Sequence, residues 1–213
     1  VFGTNLLPAG NSPANASRIP WFSGGTSNGS ADVTAYLSST GRWVYSAGGV
    51  GVADERPVPM GEGFLLELPA GAAPRNLLAM GEVLTNSVSA TAYGNGRFSV
   101  LSLPIPQRVR VRDIGLAAMG FRGAAAYNNF TKPDELRVLV NTNGNGSATS
   151  PRLRIWYNTS NSNYYDVTTG ANVNNRLIEP DESLIWWNRG TSGATWTVNP
   201  QNFYQAPGRQ MNP

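Results

Sequence analysis

Short runs of Val, Leu, Tyr and Trp, each closed by Gly, Pro or Asn, recur along the whole chain, and this punctuation limits the fold more than any other feature. "DVTAYLS", "GRWVYSA", "GFLLELP" and "GEVLTNSVSATAY" lead the series. "FSVLSLP", "RVRVRDIGL", "ELRVLVN", "RLRIWYN", "NYYDVTT", "SLIWWN" and "TWTVNP" continue it. Strand signals arrive roughly every 8 to 15 residues, which suits sandwiches or barrels and not strand–helix–strand units. The 24 Gly and 15 Pro disfavour long helices, because each weakens a helix interior. "GLAAMGFRGAAAYNN" is the one helix-like stretch, and its glycines allow a turn or two. The expected fold is all-β with little helix.

Two stretches look like one strand written twice. "RPVPMGEGFLLELPAG" and "RLIEPDESLIWWNRG" each carry a Pro-containing turn, a Glu ahead of an apolar run, and a closing Gly. Other pairs follow in the same order: "FGTNLLP" with "FSVLSLP", "WFSGG" with "GFRGA", "DVTAYLS" with "ELRVLVN", and "RWVYS" with "RIWYN". The offset between partners grows steadily along the chain, as loop insertions in a second copy would make it. The sequence therefore predicts two tandem β-sandwich or barrel-like modules from an internal duplication. Their boundary falls near "AYGNGRF", with the first module over residues 1–92 and the second over 93–213.

Composition narrows the chemistry. The chain has no Cys and no His, which excludes disulfides, thiol nucleophiles, His-zinc sites and the Ser-His-Asp triad. Charged residues make up 14%, the net charge is +3, and Lys132 is the only lysine. So small a positive excess does not call for nucleic acid. No apolar run approaches the roughly 20 residues that span a bilayer. The chain begins at Val1, for which a cleaved export signal is the simplest reading.

The succession "DELRVL", "LRIWYN" and "IEPDESLIWWNR" resembles a family of exported bacterial proteins found in Verrucomicrobia-like genomes. Members of that family carry a signal peptide, often repeat this strand–turn–strand unit, and have no assigned activity. The resemblance implies export to the cell surface or beyond, and implies no reaction. "RWVYSAGGVG" departs from the pattern by lacking the Asn-rich turn.

Three acidic pairs, Asp54-Glu55, Asp134-Glu135 and Asp181-Glu182, raise the question of glycoside hydrolysis. Neighbours on a strand point to opposite faces, so no pair alone can flank a scissile bond, and all three read as turn residues before strands. "NTNGNGS" spaces oxygens like the start of a calcium loop, but it has neutral amides and Arg152 at the twelfth position, so it reads as a turn. No cofactor is expected. "RVRVRD" places Arg108, Arg110 and Arg112 on one strand face, for charged contacts with a partner or as a solvated edge. Trp156, Tyr164, Trp186 and Trp187 come from paired aromatics in which one member faces out, and outward rings suit a glycan or protein platform.

Phe2, Leu6 and Leu7 lie in an apolar strand before a Pro-Ser-Asn linker, and they are the candidate donor strand for a neighbouring subunit's sheet. Such donation builds a head-to-tail filament. The expected function is that of a secreted structural protein, extracellular or at the cell surface, that self-assembles without chemistry. The alternative is a carbohydrate-binding β-sandwich protein.

Overall fold

A computed structural model describes residues 7–21, 31–47, 51–57, 65–73, 86–128, 130–139, 151–180 and 182–203. Its strands are β1 (Arg18–Trp21), β2 (Val33–Leu37), β3 (Trp43–Ala47), β4 (Val88–Ala92), β5 (Arg97–Leu101) and β6 (Val109–Arg110). They continue with β7 (Glu135–Leu139), β8 (Leu153–Asn158), β9 (Asn163–Asp166), β10 (Leu177–Ile178), β11 (Ser183–Asn188) and β12 (Ala194–Val198). Among the described residues, helix is confined to short 3-10 turns such as Val111–Ile114 and Leu116–Met119. The fold is all-β and sandwich-like, as the punctuation requires.

The larger core lies on an antiparallel five-stranded sheet in the order β5-β11-β7-β8-β9. Alternation along β11 sends Leu184, Trp186 and Asn188 inward. Leu136 and Val138 of β7 and Leu153 and Ile155 of β8 join them. The opposite layer comes from the β12-β4 ribbon, the β10-β6 pair and the 3-10 turns, which supply Trp196, Val198, Val111, Leu116 and Ile178. Trp186 packs edge-on to Trp196 and against Phe121. A ring of this size removes roughly 150–250 Å² from water, contributing on the order of 4 to 6 kcal/mol before entropy.

One corner joins the layers. β4 runs through Tyr93–Gly96 into β5, and β11 runs through Arg189–Gly193 into β12. β5 pairs with β11 in one sheet and β4 pairs with β12 in the other, so the two connections cross the sandwich side by side. Their backbones nearly touch: a Cβ at Gly94 would lie 2.5 Å from the Ser192 carbonyl. Only glycine permits that approach.

A second apolar cluster gathers Leu7, Ile19, Trp21, Val33, Ala35, Leu37, Trp43 and Ala53 around the sheet β1-β2-β3. Among the described residues, the two groups of strands do not show one repeated pattern. β2 and β7 each pair with the following strand, as "DVTAYLS" and "ELRVLVN" lead one to expect. However, β11 inserts between β5 and β7, while its supposed counterpart around Glu67 bridges Arg18 on β1. Val88–Ala92, at the end of the expected first module, pair with β12, and Ala90 and Ala92 enter the larger core. Strand-like composition fixed which segments extend, but not which neighbours they take.

Candidate functional site

On the face of the five-stranded sheet away from the core, β7 presents Glu135 and Arg137, and β8 presents Arg154 and Trp156. β11 adds Trp187 and β5 adds Phe98, which stack at 4.9 Å. Arg137 lies over both rings, and Arg189 lies 3.7 Å from the Trp187 centroid. Beyond them Tyr127 meets Trp156, and Trp156 meets Tyr165. A belt of alternating rings and guanidinium groups thus crosses the sheet.

Glu135 is the centre of this belt and is fully buried. It accepts hydrogen bonds from Arg137 Nε at 2.6 Å, Arg154 Nε at 2.9 Å and Tyr127 Oη at 3.1 Å, with Arg189 Nη2 at 3.5 Å. Burial pushes its carboxyl up, but the hydrogen bonds and charges of Arg154 and Arg137 outweigh that and hold it below the ordinary range. The same pairing holds the Arg154 guanidinium above its ordinary value. Next door, buried Asp134 accepts N–H bonds from Trp186 Nε1 at 3.1 Å, Arg189 at 2.9 Å and Arg122 at 3.1 Å. Glu182 is held by both Nε and Nη2 of Arg152. Asp134, Glu135 and Glu182, expected as turn residues before strands, are structural anchors, because arginines, an indole N–H and backbone amides surround them.

The candidate contact residues fare differently from expectation. Trp186 is fully buried, and Trp156 and Tyr164 are nearly so, which removes three of the four rings from any open platform. The rule that one ring of a pair faces out holds, but the outward side of this sheet is itself covered at Trp156 by Tyr127 and Tyr165. Trp187 alone of the four is half-buried. Burial raises the Tyr164 hydroxyl's affinity for its proton, though the Ala117 N–H donated to it pulls the other way.

The arginine row is also broken. The chain leaves extended geometry at Val111, so Arg112 turns away and pairs with Asp113, while Arg108 pairs with Glu179 at 2.8 Å. Arg110, half-buried in β6, lies opposite Leu177. Leu7 is buried in the apolar cluster of its own chain, and Ser17 N–H donates to the Pro8 carbonyl beside it. That packing runs against its use as a donor residue. Phe2 and Leu6 lie outside the described residues. Sequence reading singled out Glu135 only as a turn carboxylate and missed its partners Arg137, Arg154 and Arg189. Alternation puts Arg137 and Arg154 each on a face, but only the β7–β8 register sets them opposite one another.

No protein-family model matches the chain, and no curated protein or solved structure matches it either. The site must be read from its own geometry.

A groove of about 840 Å³ opens at the sandwich corner, between Ala118–Arg122 and the stretch from Asn188 through Thr197. Asn188 braces it by donating to the carbonyls of Ala92 and Ser192 and accepting from Gly190 N–H. Among the described residues no group of His, Cys, Asp and Glu could hold a metal ion, and no helix is long and apolar enough to cross a membrane.

Proposed function

We propose that this protein is a non-catalytic structural β protein of an exported assembly, in which copies associate along the edges of the β4–β12 ribbon. One observation carries the reading. Neither β4 nor β12, nor the flanking residues 86–96 and 190–203, contains a charged side chain. Natural edge strands are usually guarded by lysine, proline or inward charge, because a bare edge recruits other strands. Here the ribbon has no further strand partner among the described residues, and its outward positions are Ser89, Thr91, Thr195 and Thr197.

The carboxylates support a role without chemistry. Glu135, Asp134 and Glu182 are each committed to arginines or backbone amides, which leaves none of them poised as a proton donor or nucleophile. The family resemblance adds the expectation of export.

The test is sedimentation velocity and electron microscopy of the wild type beside Ser89→Lys/Thr91→Lys. Both side chains are exposed, and Ser89 gives up only a surface hydrogen bond to Thr197, so the double variant should retain the fold. Concentration-dependent oligomers or fibres in the wild type, lost in the variant, are the expected result. A wild type that stays monomeric at high concentration, or a variant that assembles equally well, overturns the reading.

A further inference from the structure

We propose that the corner groove is a binding site for a carboxylate-bearing saccharide, with Arg122 receiving the carboxylate. This site goes beyond the assembly role and does not depend on it.

Among the described residues, Arg122 is the one charged residue bordering the groove. Its guanidinium is engaged by its own chain on one side only. Nη2 donates to the Lys132 carbonyl, and Nε lies 3.7 Å from Asp134, too far for a hydrogen bond. The oxygens of Asp134 are already occupied by three other N–H groups. Nη1 has no partner among the described residues, and the side chain is 45% exposed. A planar, permanently charged donor set of this kind matches a carboxylate in two-point fashion.

Beside it, the loop from Gly190 to Gly193 adds neutral donors. The N–H groups of Thr191, Ser192 and Gly193 find no acceptor among the described residues, while Asn188 fixes the loop from below. Threonine and serine hydroxyls border the same groove, and Met119 and Ala118 give it an apolar patch. Hydroxyl partners for hydroxyls, an apolar patch for the C–H face of a ring, and one cation for one carboxylate together describe an acidic sugar. The volume lies within the usual range for ligand pockets. Phe121 is buried beneath the surface and offers no stacking plane, which disfavours a nucleobase. The site is preformed, because the glycine-dependent corner sets the loop.

The experiment is isothermal titration of the full chain, at protein concentrations where it is dispersed, with trigalacturonate and with a glucuronate-containing oligosaccharide. The fully methyl-esterified forms serve as neutral controls. At least one acid should bind saturably, with its ester weaker by about tenfold or more. Arg122→Gln should reproduce the loss for the acid and leave the ester unchanged, with an unchanged circular dichroism spectrum. Gly190→Ala should weaken acid and ester alike, since the added methyl would sit 3.1 Å from Asn188 Oδ1 and 3.8 Å from Arg122 Nε. Absence of binding by both acids, or binding that survives Arg122→Gln or esterification undiminished, overturns the proposal.

Discussion

Arg154 meets Glu135 as a two-pronged pair across the β7–β8 register, Nε to Oε1 at 2.9 Å and Nη2 to Oε2 at 2.9 Å. The carboxylate is fully buried while its arginine partners keep partial contact with water. That asymmetry makes the anion the member that cannot be removed cheaply. Without it three guanidinium groups face one another on one sheet.

Glu135→Gln should therefore lower the unfolding free energy by about 3 kcal/mol, near the lower end for breaking a buried pair because the arginines are partly solvated. Urea unfolding followed by tryptophan fluorescence measures it. A loss well under 1 kcal/mol would mean that the belt behaves as an ordinary surface ion-pair cluster.

Acid should act through the same residue. The folded-state carboxyl of Glu135 is held below its unfolded value, so its stabilising contribution is present above roughly pH 4.5 and is lost as pH falls through the lower folded value. Asp54, held low by hydrogen bonds from Arg42 and the Trp43 N–H, works in the same direction. Thermal melts from pH 7 to pH 2 should show a fall in Tm concentrated at the acid end. Glu135→Gln should flatten that fall.

Trp186→Phe should cost about 1 to 3 kcal/mol, because it keeps most of the ring but leaves one oxygen of buried Asp134 without its indole donor. Trp186→Ala should cost about 3 to 5 kcal/mol through the cavity left beside Trp196 and Phe121. The ordering of the two variants in denaturant separates the hydrogen bond from the packing.

Gly94→Ala tests the corner. Its methyl would collide with the Ser192 backbone, which no side-chain rotation can relieve, so we expect a loss of about 1 to 3 kcal/mol and a lower Tm. Indifference to this change would show that the two connections separate readily.

Phe130→Ser supplies the contrast. Phe130 is 98% exposed on a turn held by Asn128 Oδ1, which accepts the N–H groups of Phe130 and Thr131. Its replacement should leave the unfolding free energy within about 0.5 kcal/mol.

Much of the strand content was legible in advance. "SLIWWN", "RIWYN" and "ELRVL" became β11, β8 and β7 because alternation, β-branching and aromatic content are local properties that a strand exploits directly. The 3-10 turns at Leu116–Met119 likewise follow from the glycines around them. What the sites do was far less legible. Trp186 and Trp187 are chemically alike and adjacent, yet one is fully buried and the other lies under Arg189, a difference set by which face of β11 meets the β12–β4 layer. Asp134 and Glu135 read as turn carboxylates until Arg122, Arg137, Arg154 and Arg189 close around them from four separate segments.

The sequence by itself determined that this chain extends and turns: its glycines, prolines and asparagines set the limits of each strand, and the missing histidine and cysteine removed whole classes of chemistry. Tertiary structure decided everything that depends on pairing. The choice of β11 as the neighbour of β5 and β7, the register that opposes Arg137 to Arg154, and the glycine corner that shapes the groove all arise between segments distant in sequence. The physical reason is that a strand's side-chain alternation names two faces but no neighbour. Neighbours are selected by the burial and charge pairing of the assembled sheets as a whole.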